Sequence, residues 1–580
     1  MKTKGSLEKN NHDKTNEISL DYSNISAFLR KHYILIFLLI FMIFGFYLRS
    51  YHMDFPVIGY HNMKENQYLP YTEFMYNADD FLDYFRTETY WIGTQEHGYF
   101  TQYEFPLIPW LILVLWLIFG VKLWAARLVI ILFSVASIPV LYLVGRKLTD
   151  NKFILLTTCL FFAIMPINIF FGRNVQPEAP GLFFILFAWY WFFCWIDNLE
   201  WKSFIYFSVS LLLAILLKIP NGIGLVPLLF FIPYRKLWNE KKNYSKYALV
   251  FLGFMAIFPI WVKFSKWVMP GAATVGTSGF SESFTEVWHN ILRTFTSQYW
   301  IEYFPALKAF FLDNFTIWFF WLLVFGIIFA FIKSKTKLGL FIIGSFFSVF
   351  VYVMAFADKI RGHAYYQMVF VPLVCLAGAY TLYIISQFLH KLIFIIFKKD
   401  FFKKIIPLVI LLVFLFLAYP AMETATARVF DTIFYGEDVA GDFIYQNSDQ
   451  SERVFIDGVF SQSVGILWHA HRYGTDEITS NLTEFKRLET DLNFKWVVLY
   501  SYGINTIQSK QEVWDYIQNN YKIKQIGLIV QDGQYVPYYF VLEKGGVFDF
   551  TAFQNKTSYL AQTYTTTNGD IQFYAVDDTN

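Results

Sequence analysis

The sequence predicts a polytopic α-helical membrane protein of about 11 transmembrane helices, with juxtamembrane helices and a C-terminal α/β domain outside the membrane. Three observations carry this. Of 580 residues, 56% are hydrophobic and 16% charged, with a mean hydropathy of +0.39, whereas soluble domains average about 25% charged. Apolar runs recur at bilayer-spanning length from residue 33 to 420. After Tyr419-Pro420 the chain turns polar and its apolar residues alternate with period two. The same figures exclude a disordered or collagen-like chain, because only 31 Gly and 18 Pro occur. A balance of 47 Lys+Arg against 45 Asp+Glu gives no reason to expect a nucleic-acid partner. Cys159, Cys194 and Cys375 lie inside apolar runs and form neither a disulfide framework nor a metal spacing.

Residues 1–30 are polar and read as a disordered cytoplasmic tail. Tyr33 to Leu48 is the first span. Arg30-Lys31 precede it and no small-residue cleavage site follows, so it is an uncleaved signal anchor with a cytoplasmic N-terminus. The membrane domain covers 31–420, and its later runs fall at 124–145, 153–170, 180–196, 203–218, 222–234, 247–264, 314–332, 338–357, 366–386 and 405–420. Basic clusters lie between them: Arg146-Lys147, Lys202, Arg235-Lys236 with Lys241-Lys242, Lys333 to Lys337, and Lys391 to Lys404. Eleven spans put every cluster in the cytoplasm and the C-terminus outside, as expected in a plasma (inner) membrane. The run 106–119 is apolar but short and starts with two prolines. It reads as a juxtamembrane helix in the outer interface, with a twelfth span as the alternative.

Residues 421–580 read as an α/β domain with strands at 453–457 and 496–500, a helix at 511–519, and a hairpin of 523–530 with 536–543 around Asp532-Gly533.

Charges near spans are costly and mark function by default. They gather in the loops this topology places outside. The first outer loop, 49–105, holds Lys64 and Glu65 and ends at Tyr103-Glu104-Phe105-Pro106; the next site is Gly172 to Glu178, with Arg173. Lys218 follows, and then Arg361-Gly362-His363-Ala364-Tyr365-Tyr366. Each has an ordinary alternative. Glu65 could be a solvated charge, Arg173 could pair with Glu178, Arg361 and His363 could anchor headgroups, and Tyr365 and Tyr366 could belong to an aromatic belt. Asp79, Asp80 and Asp83 fit a wet helix face. Cations beside spans suit a lipid phosphate, and a carboxylate beside them suits general-base activation of an acceptor hydroxyl. That is glycosyl transfer from a lipid-linked sugar, with inversion, through a charge-developed transition state.

At these residues the chain resembles the C-type (GT-C fold) integral-membrane glycosyltransferases. The nearest likeness is to the bacterial family-39-like enzymes grouped with dolichyl-phosphate-mannose protein mannosyltransferases and lipid A aminoarabinose transferases. The likeness runs from about residue 33 to 400 in the order of short motifs: Gly59 to Tyr68, Tyr103-Glu104-Phe105-Pro106-Leu107, Ala125-Ala126-Arg127-Leu128, Gly145-Arg146-Lys147-Leu148, Pro166 to Glu178, and His363-Ala364-Tyr365-Tyr366 before Pro372. The resemblance implies a polyprenyl-phosphate-linked sugar donor and an extracytoplasmic acceptor: protein, lipid or cell-envelope glycan. It implies Glu65 as the base, Glu104 lining the pocket, and Lys64, Arg173, Lys218, Arg361, His363, Tyr365 and Tyr366 around the donor phosphate. Glu178 would be a metal ligand in some members, with Mg or Mn as the divalent cation. Where relatives carry paired first-loop acids, Lys64 replaces the first, which makes it a phosphate ligand. Competing classes are a transporter or flippase of lipid-linked glycans, which would place polar groups at mid-bilayer on broken helices, and a non-catalytic scaffold or sensor with no need for Glu65.

Overall fold

The computed structural model describes residues 22–578 apart from 60, 94, 96, 101–103, 273–278, 399–401, 432–433, 459, 478, 480 and 501–506. Residues 1–21 of the expected tail, together with Tyr60 and Tyr103, therefore lie outside the described residues.

Helix α1 spans Tyr22–Arg49 and begins inside the stretch read as tail, because no Gly or Pro interrupts the chain between Tyr22 and the first span. The first loop then forms α2 (Asn62–Tyr76) and a 3-10 turn at Phe81–Phe85. Asp80 and Asp83 cap that turn reciprocally and Asp83 pairs with Arg86, so these two acids stabilise a turn and do not line a helix face. Helix α3 (Leu107–Phe119) has 13 residues. At 1.5 Å per residue it is about 20 Å long, short of a hydrocarbon core of about 30 Å.

The remaining helices follow the expected runs with two differences. Helix α4 is Leu123–Leu148. The run 153–170 divides into α5 (Lys152–Ile164) and a short α6 (Pro166–Phe170), because Pro166 cannot continue the first helix. Helices α7 (Glu178–Asn198) and α8 (Trp201–Leu217) pack against each other. The run 222–234 is not one helix. It is a 3-10 segment, Ile219–Leu225, and a single turn, α9 (Val226–Leu229), interrupted by Pro220, Gly222, Gly224, Pro227 and Pro233. Next come α10 (Tyr234–Asn239), α11 (Lys241–Val268), α12 (Gly279–Arg293) and α13 (Ser297–Glu302). Helix α14 (Phe304–Ile332) is kinked at Thr316, where φ is 65°, and is followed by α15 (Lys337–Ala355) and α16 (Ala357–Gly362). A 3-10 turn at Ala364–Phe370 then leads into α17 (Val371–Phe397) and α18 (Phe402–Val429). Among the described residues, 8 helical stretches are long and apolar enough to cross a membrane, and 107–119, 152–164, 201–217 and 219–229 are shorter apolar pieces.

Burial is greatest on α4, α7 and α17, while α1, α11 and α18 expose apolar faces such as Ile43, Leu249 and Phe416, as lipid contact requires. Phe161, Phe319 and Phe414 tie α5, α14 and α18 together, with ring centroids 4.9–5.4 Å apart. Helices α14 and α17 touch backbone to backbone. A Cβ at Gly326 would lie 2.5 Å from the Ala377 carbonyl oxygen.

The C-terminal part is a seven-stranded sheet in the order β2-β1-β3-β5-β4-β7-β6. The strands are β1 (Arg453–Asp457), β2 (Gly474–Thr475), β3 (Phe494–Tyr500), β4 (Tyr521–Gln531), β5 (Gln534–Lys544), β6 (Tyr559–Thr566) and β7 (Gly569–Asp577). β1 runs parallel to β2 and β3, and the other pairs are antiparallel. The hairpin around Asp532-Gly533 is β4–β5, as its turn residues predict. Helices α19 (Glu437–Asn447), α20 (Phe460–Ala470), α21 (Leu482–Leu492) and α22 (Gln511–Asn520) complete the domain.

The first loop is built into this domain. Helix α2 packs on α20. The Ile92 amide donates to the Gly474 carbonyl and the Gly474 amide to the Tyr90 carbonyl, both at 2.9 Å, so residues 90–92 add a bridge beside β2. Trp91 Nε1 donates to Asp476 at 2.6 Å, Tyr473 donates to Glu88 at 2.5 Å, and His471 lies 2.9 Å from Glu73.

Candidate active site

The first turns of α2 hold the loop's charges at the junction of membrane helices and C-terminal domain. His61 precedes the helix in the left-handed region, with φ 53°, and Lys64, Glu65 and Tyr68 follow within its first two turns, these three buried and His61 half-buried. Lys64 and Glu65 are adjacent, about 100° apart around the axis, so they face different groups.

On one side stands a cluster of opposite charges. Lys64 Nζ lies 4.0 Å from Glu104 Oε1, and the Tyr68 hydroxyl donates to Glu104 Oε2. The Phe105 amide donates to the Leu216 carbonyl at 2.8 Å, which fastens Glu104 beside the end of α8. There Lys218, the residue after α8, pairs with Glu178, the first residue of α7. The Lys218 ammonium lies 3.7 Å from the ring centre of Tyr366 and 4.7 Å from that of Tyr365. His363 stacks on Tyr365 at 5.1 Å, and His61 meets Tyr365 edge-on at 5.3 Å. Asn314 holds the 3-10 turn in place through the Ala364 carbonyl (3.1 Å) and Gln367 (2.9 Å).

Burial raises the pKa of Glu104, and Lys64 and the Tyr68 hydroxyl offset it only in part. Burial also lowers the pKa of Lys64, against the pull of Glu104. Burial thus moves the two groups toward each other in proton affinity. Burial and His363 hold His61 down at about 3, and burial with Lys218, Lys64 and Lys359 holds His363 at about 4. Both imidazoles are neutral at pH 7 and can offer one N–H each.

On the other side Glu65 is fully engaged. Arg127 Nε and Nη2 donate to its two oxygens at 2.8 and 3.0 Å, and the Val175 amide donates at 3.2 Å. Burial would raise its pKa, but Arg127, Arg173 and the Val175 amide outweigh that and hold it low. Glu65 is thus held as the ion-pair partner of Arg127.

The other expected residues divide. Lys64, Lys218, His363, Tyr365, Tyr366, Glu104 and Glu178 are brought together. Arg173 is not among them. Its Nη1 donates to the carbonyls of Tyr51 and His52, and its guanidinium lies 4.8 Å over Phe430, so it braces the loop and does not pair with Glu178. Arg361 is exposed and stacks on Tyr303 at 5.3 Å, away from the lysines. Glu178 is occupied by Lys218. Among the described residues no three His, Cys, Asp or Glu side chains converge on one point; Lys218 takes Glu178 Oε1, and Oε2 has no hydrogen-bond partner among the described residues. Sequence reasoning missed Arg127, His61 and Tyr68 as parts of the site. All three lie inside the motifs Gly59 to Tyr68 and Ala125 to Leu128, but the motifs assign them no role.

The overall architecture and site can be set against known proteins. Residues 104–262 match the family described as dolichyl-phosphate-mannose-protein mannosyltransferase. No curated protein sequence matches the chain. Among solved structures it is similar to the oligosaccharyltransferase of Archaeoglobus fulgidus in its apo form, with 14% identity, a TM-score of 0.57, and coverage of 88% of this chain and 74% of that one. The same protein in complex with Zn and sulfate gives a TM-score of 0.55 at 14% identity, over 87% and 73% of the two chains. ArnT from Cupriavidus metallidurans in the apo state gives 0.51 at 11% identity, over 88% of this chain and 98% of that one. The class is therefore a multi-pass membrane protein of the GT-C fold. Within it, the matched segment carries the sequence character of the mannosyltransferase family, and that segment includes Glu104, Arg127, Arg173, Glu178 and Lys218.

Proposed function

We propose that the protein is an inverting glycosyltransferase that moves a sugar from a polyprenyl-phosphate donor to an extracytoplasmic acceptor, with its N-terminus in the cytoplasm and its C-terminal domain outside the plasma membrane. One observation carries the reading: Lys64, Lys218 and Glu104 meet beside an aromatic wall of Tyr365 and Tyr366. Lys64 and Lys218 receive the donor phosphate, with neutral His363 as a hydrogen-bond donor, and stabilise the charge that develops on the departing phosphate. Glu104, whose proton affinity is raised, takes the proton of the acceptor hydroxyl. The tyrosine faces offer a platform for a sugar ring and for the cationic transition state. No general acid is needed, because a phosphate leaves as an anion. A groove of about 740 Å³ between α1, α5 and α18, walled by Phe44, Tyr47, Leu415 and Met422, suits the hydrocarbon chain of a membrane lipid.

The match to a family named for a dolichyl-phosphate-mannose donor supports the donor class. The test is turnover of a synthetic polyprenyl-phosphate sugar by the purified full-length chain with a panel of hydroxyl acceptors. Glu104→Gln should lower kcat by about 10²-fold or more. Wild-type levels of transfer by this variant would remove Glu104 from the mechanism. Lipid scrambling without transfer would favour the flippase.

A further inference from the structure

The first residue of α2 is held by the C-terminal domain. Asn62 Nδ2 donates to the Glu437 carboxyl at 3.0 Å, across 375 residues of sequence. Glu437 opens α19 directly after Gly436, whose φ of 80° turns the chain into the helix, and it is 0% exposed. Its carboxyl fits only because α20 carries glycine opposite: a Cβ at Gly465 would lie 2.1 Å from Oε2 and 3.2 Å from the Asn66 side-chain nitrogen. The other oxygen, Oε1, has no hydrogen-bond partner among the described residues.

Among the described residues, Asp438 and Asn62 are the groups that act on Glu437. Its own helix supplies Asp438, which accepts from the Tyr564 hydroxyl on β6 and from Gln562 at 3.2 Å. Helix α20 supplies His469, which faces Asp438 and lies 3.5 Å from Asp442. β3 supplies Tyr500, and β5 supplies Tyr539 beside Asp438. From α2 come only the amides of Asn62 and Asn66, which also donate to the Val57 carbonyl at 3.4 and 3.1 Å. Burial first, and Asp438 second, push the Glu437 pKa well up, with Asn62 opposing. A carboxyl so placed keeps its proton, since the charged form would be buried without compensation.

We infer that Glu437 is a positioning residue, clamping the first turn of α2 to the C-terminal domain and so fixing Lys64 and Glu65, which rests on the reading of Lys64 and Glu104 as the transfer site. The clamp is an amide-to-carboxyl hydrogen bond in an enclosed seam. Glutamine reproduces the neutral form at every pH.

The test uses the full-length chain in lipid nanodiscs, with hydrogen exchange of α2 peptides as one readout and sugar transfer as the other. Glu437→Ala should deprotect residues 62–68 and lower kcat about tenfold, as loss of one buried hydrogen bond allows. Glu437→Gln should keep α2 protection and transfer within about twofold of wild type. Should Glu437→Ala not fold, Asn62→Ala removes the same bond from the other side and should deprotect the same residues. Unchanged exchange in the alanine variants, or Glu437→Gln as impaired as alanine, overturns the clamp. Exchange does not depend on turnover, so an inactive wild type would refute the glycosyltransferase reading while still judging the clamp.

Discussion

Both carboxylate oxygens of Glu65 rest on the guanidinium of Arg127, at 2.8 and 3.0 Å, with 4% and 1% of the two side chains exposed. Arg127 also donates to the carbonyls of His52, Met53 and Phe55 at 2.7–3.0 Å. The pair is a strut between α4 and the start of the first loop.

Glu65→Gln should therefore act on stability. Removing one member of a buried pair costs about 3–5 kcal/mol, because the other charge is left uncompensated. Arg127→Gln on the same background should recover part of the loss. Thermal melting of the three variants in detergent checks this double-mutant cycle, and additivity of the two single effects would contradict it.

Glu104 should impose opposite pH slopes on activity and stability. Its folded-state pKa is raised, so the folded chain retains a proton that the unfolded chain releases. Between the ordinary carboxylate value and the raised one, stability falls as pH rises. Activity rises over the same window, because the base must be ionised. The acidic limb of the kcat profile should lie above the usual carboxylate range and should vanish in Glu104→Gln.

Lys218→Met should raise the donor KM by about 10–100-fold, the effect of losing a charge-assisted hydrogen bond to phosphate. It also strands Glu178. Lys218→Met with Glu178→Gln should then restore the melting temperature without restoring KM, which separates the phosphate contact from the structural pair.

Chelation should leave transfer unchanged, since Lys218 occupies Glu178 and the donor set makes no cage. Turnover measured before and after EDTA, with and without added Mg or Mn, decides this. A reversible loss on chelation would contradict it.

Gly326→Ala should destabilise the helix bundle by about 1–3 kcal/mol, as overpacking does, because the new methyl would lie 2.5 Å from the Ala377 carbonyl oxygen. Thermal melting reads the loss directly, with transfer per folded molecule unaltered.

Much of the architecture is legible in the sequence because its signals are local. The apolar runs, the polar turn after Tyr419-Pro420 and the Asp532-Gly533 hairpin each declare themselves within a few residues. The break at 219–229 also shows in the sequence, where Pro220 and Gly222 interrupt an apolar stretch. The site was legible only as an inventory. Lys64, Glu104, Lys218 and Tyr366 could be listed as polar or aromatic residues near one side, yet the inventory did not separate Glu65 with its partner Arg127, or Arg173 and Arg361, from the lysines. Which neighbour each charge faces depends on a rotation of about 100° between Lys64 and Glu65 and on partners more than 60 residues away, such as Arg127. Glu437 carried no signal, because its meaning lies in Asn62 across the seam.

The bridge of residues 90–92 to Gly474 has a consequence for the order in which the chain assembles. The loop that bears Lys64 and Glu65 leaves the ribosome early, but its docking surface on β2 and α20 is among the last parts made. Until then the loop has nothing to close upon, a state open to wrong pairing. Completion of the site is thus a late event in biogenesis, and a chain truncated after the final membrane helix would reach the bilayer without it.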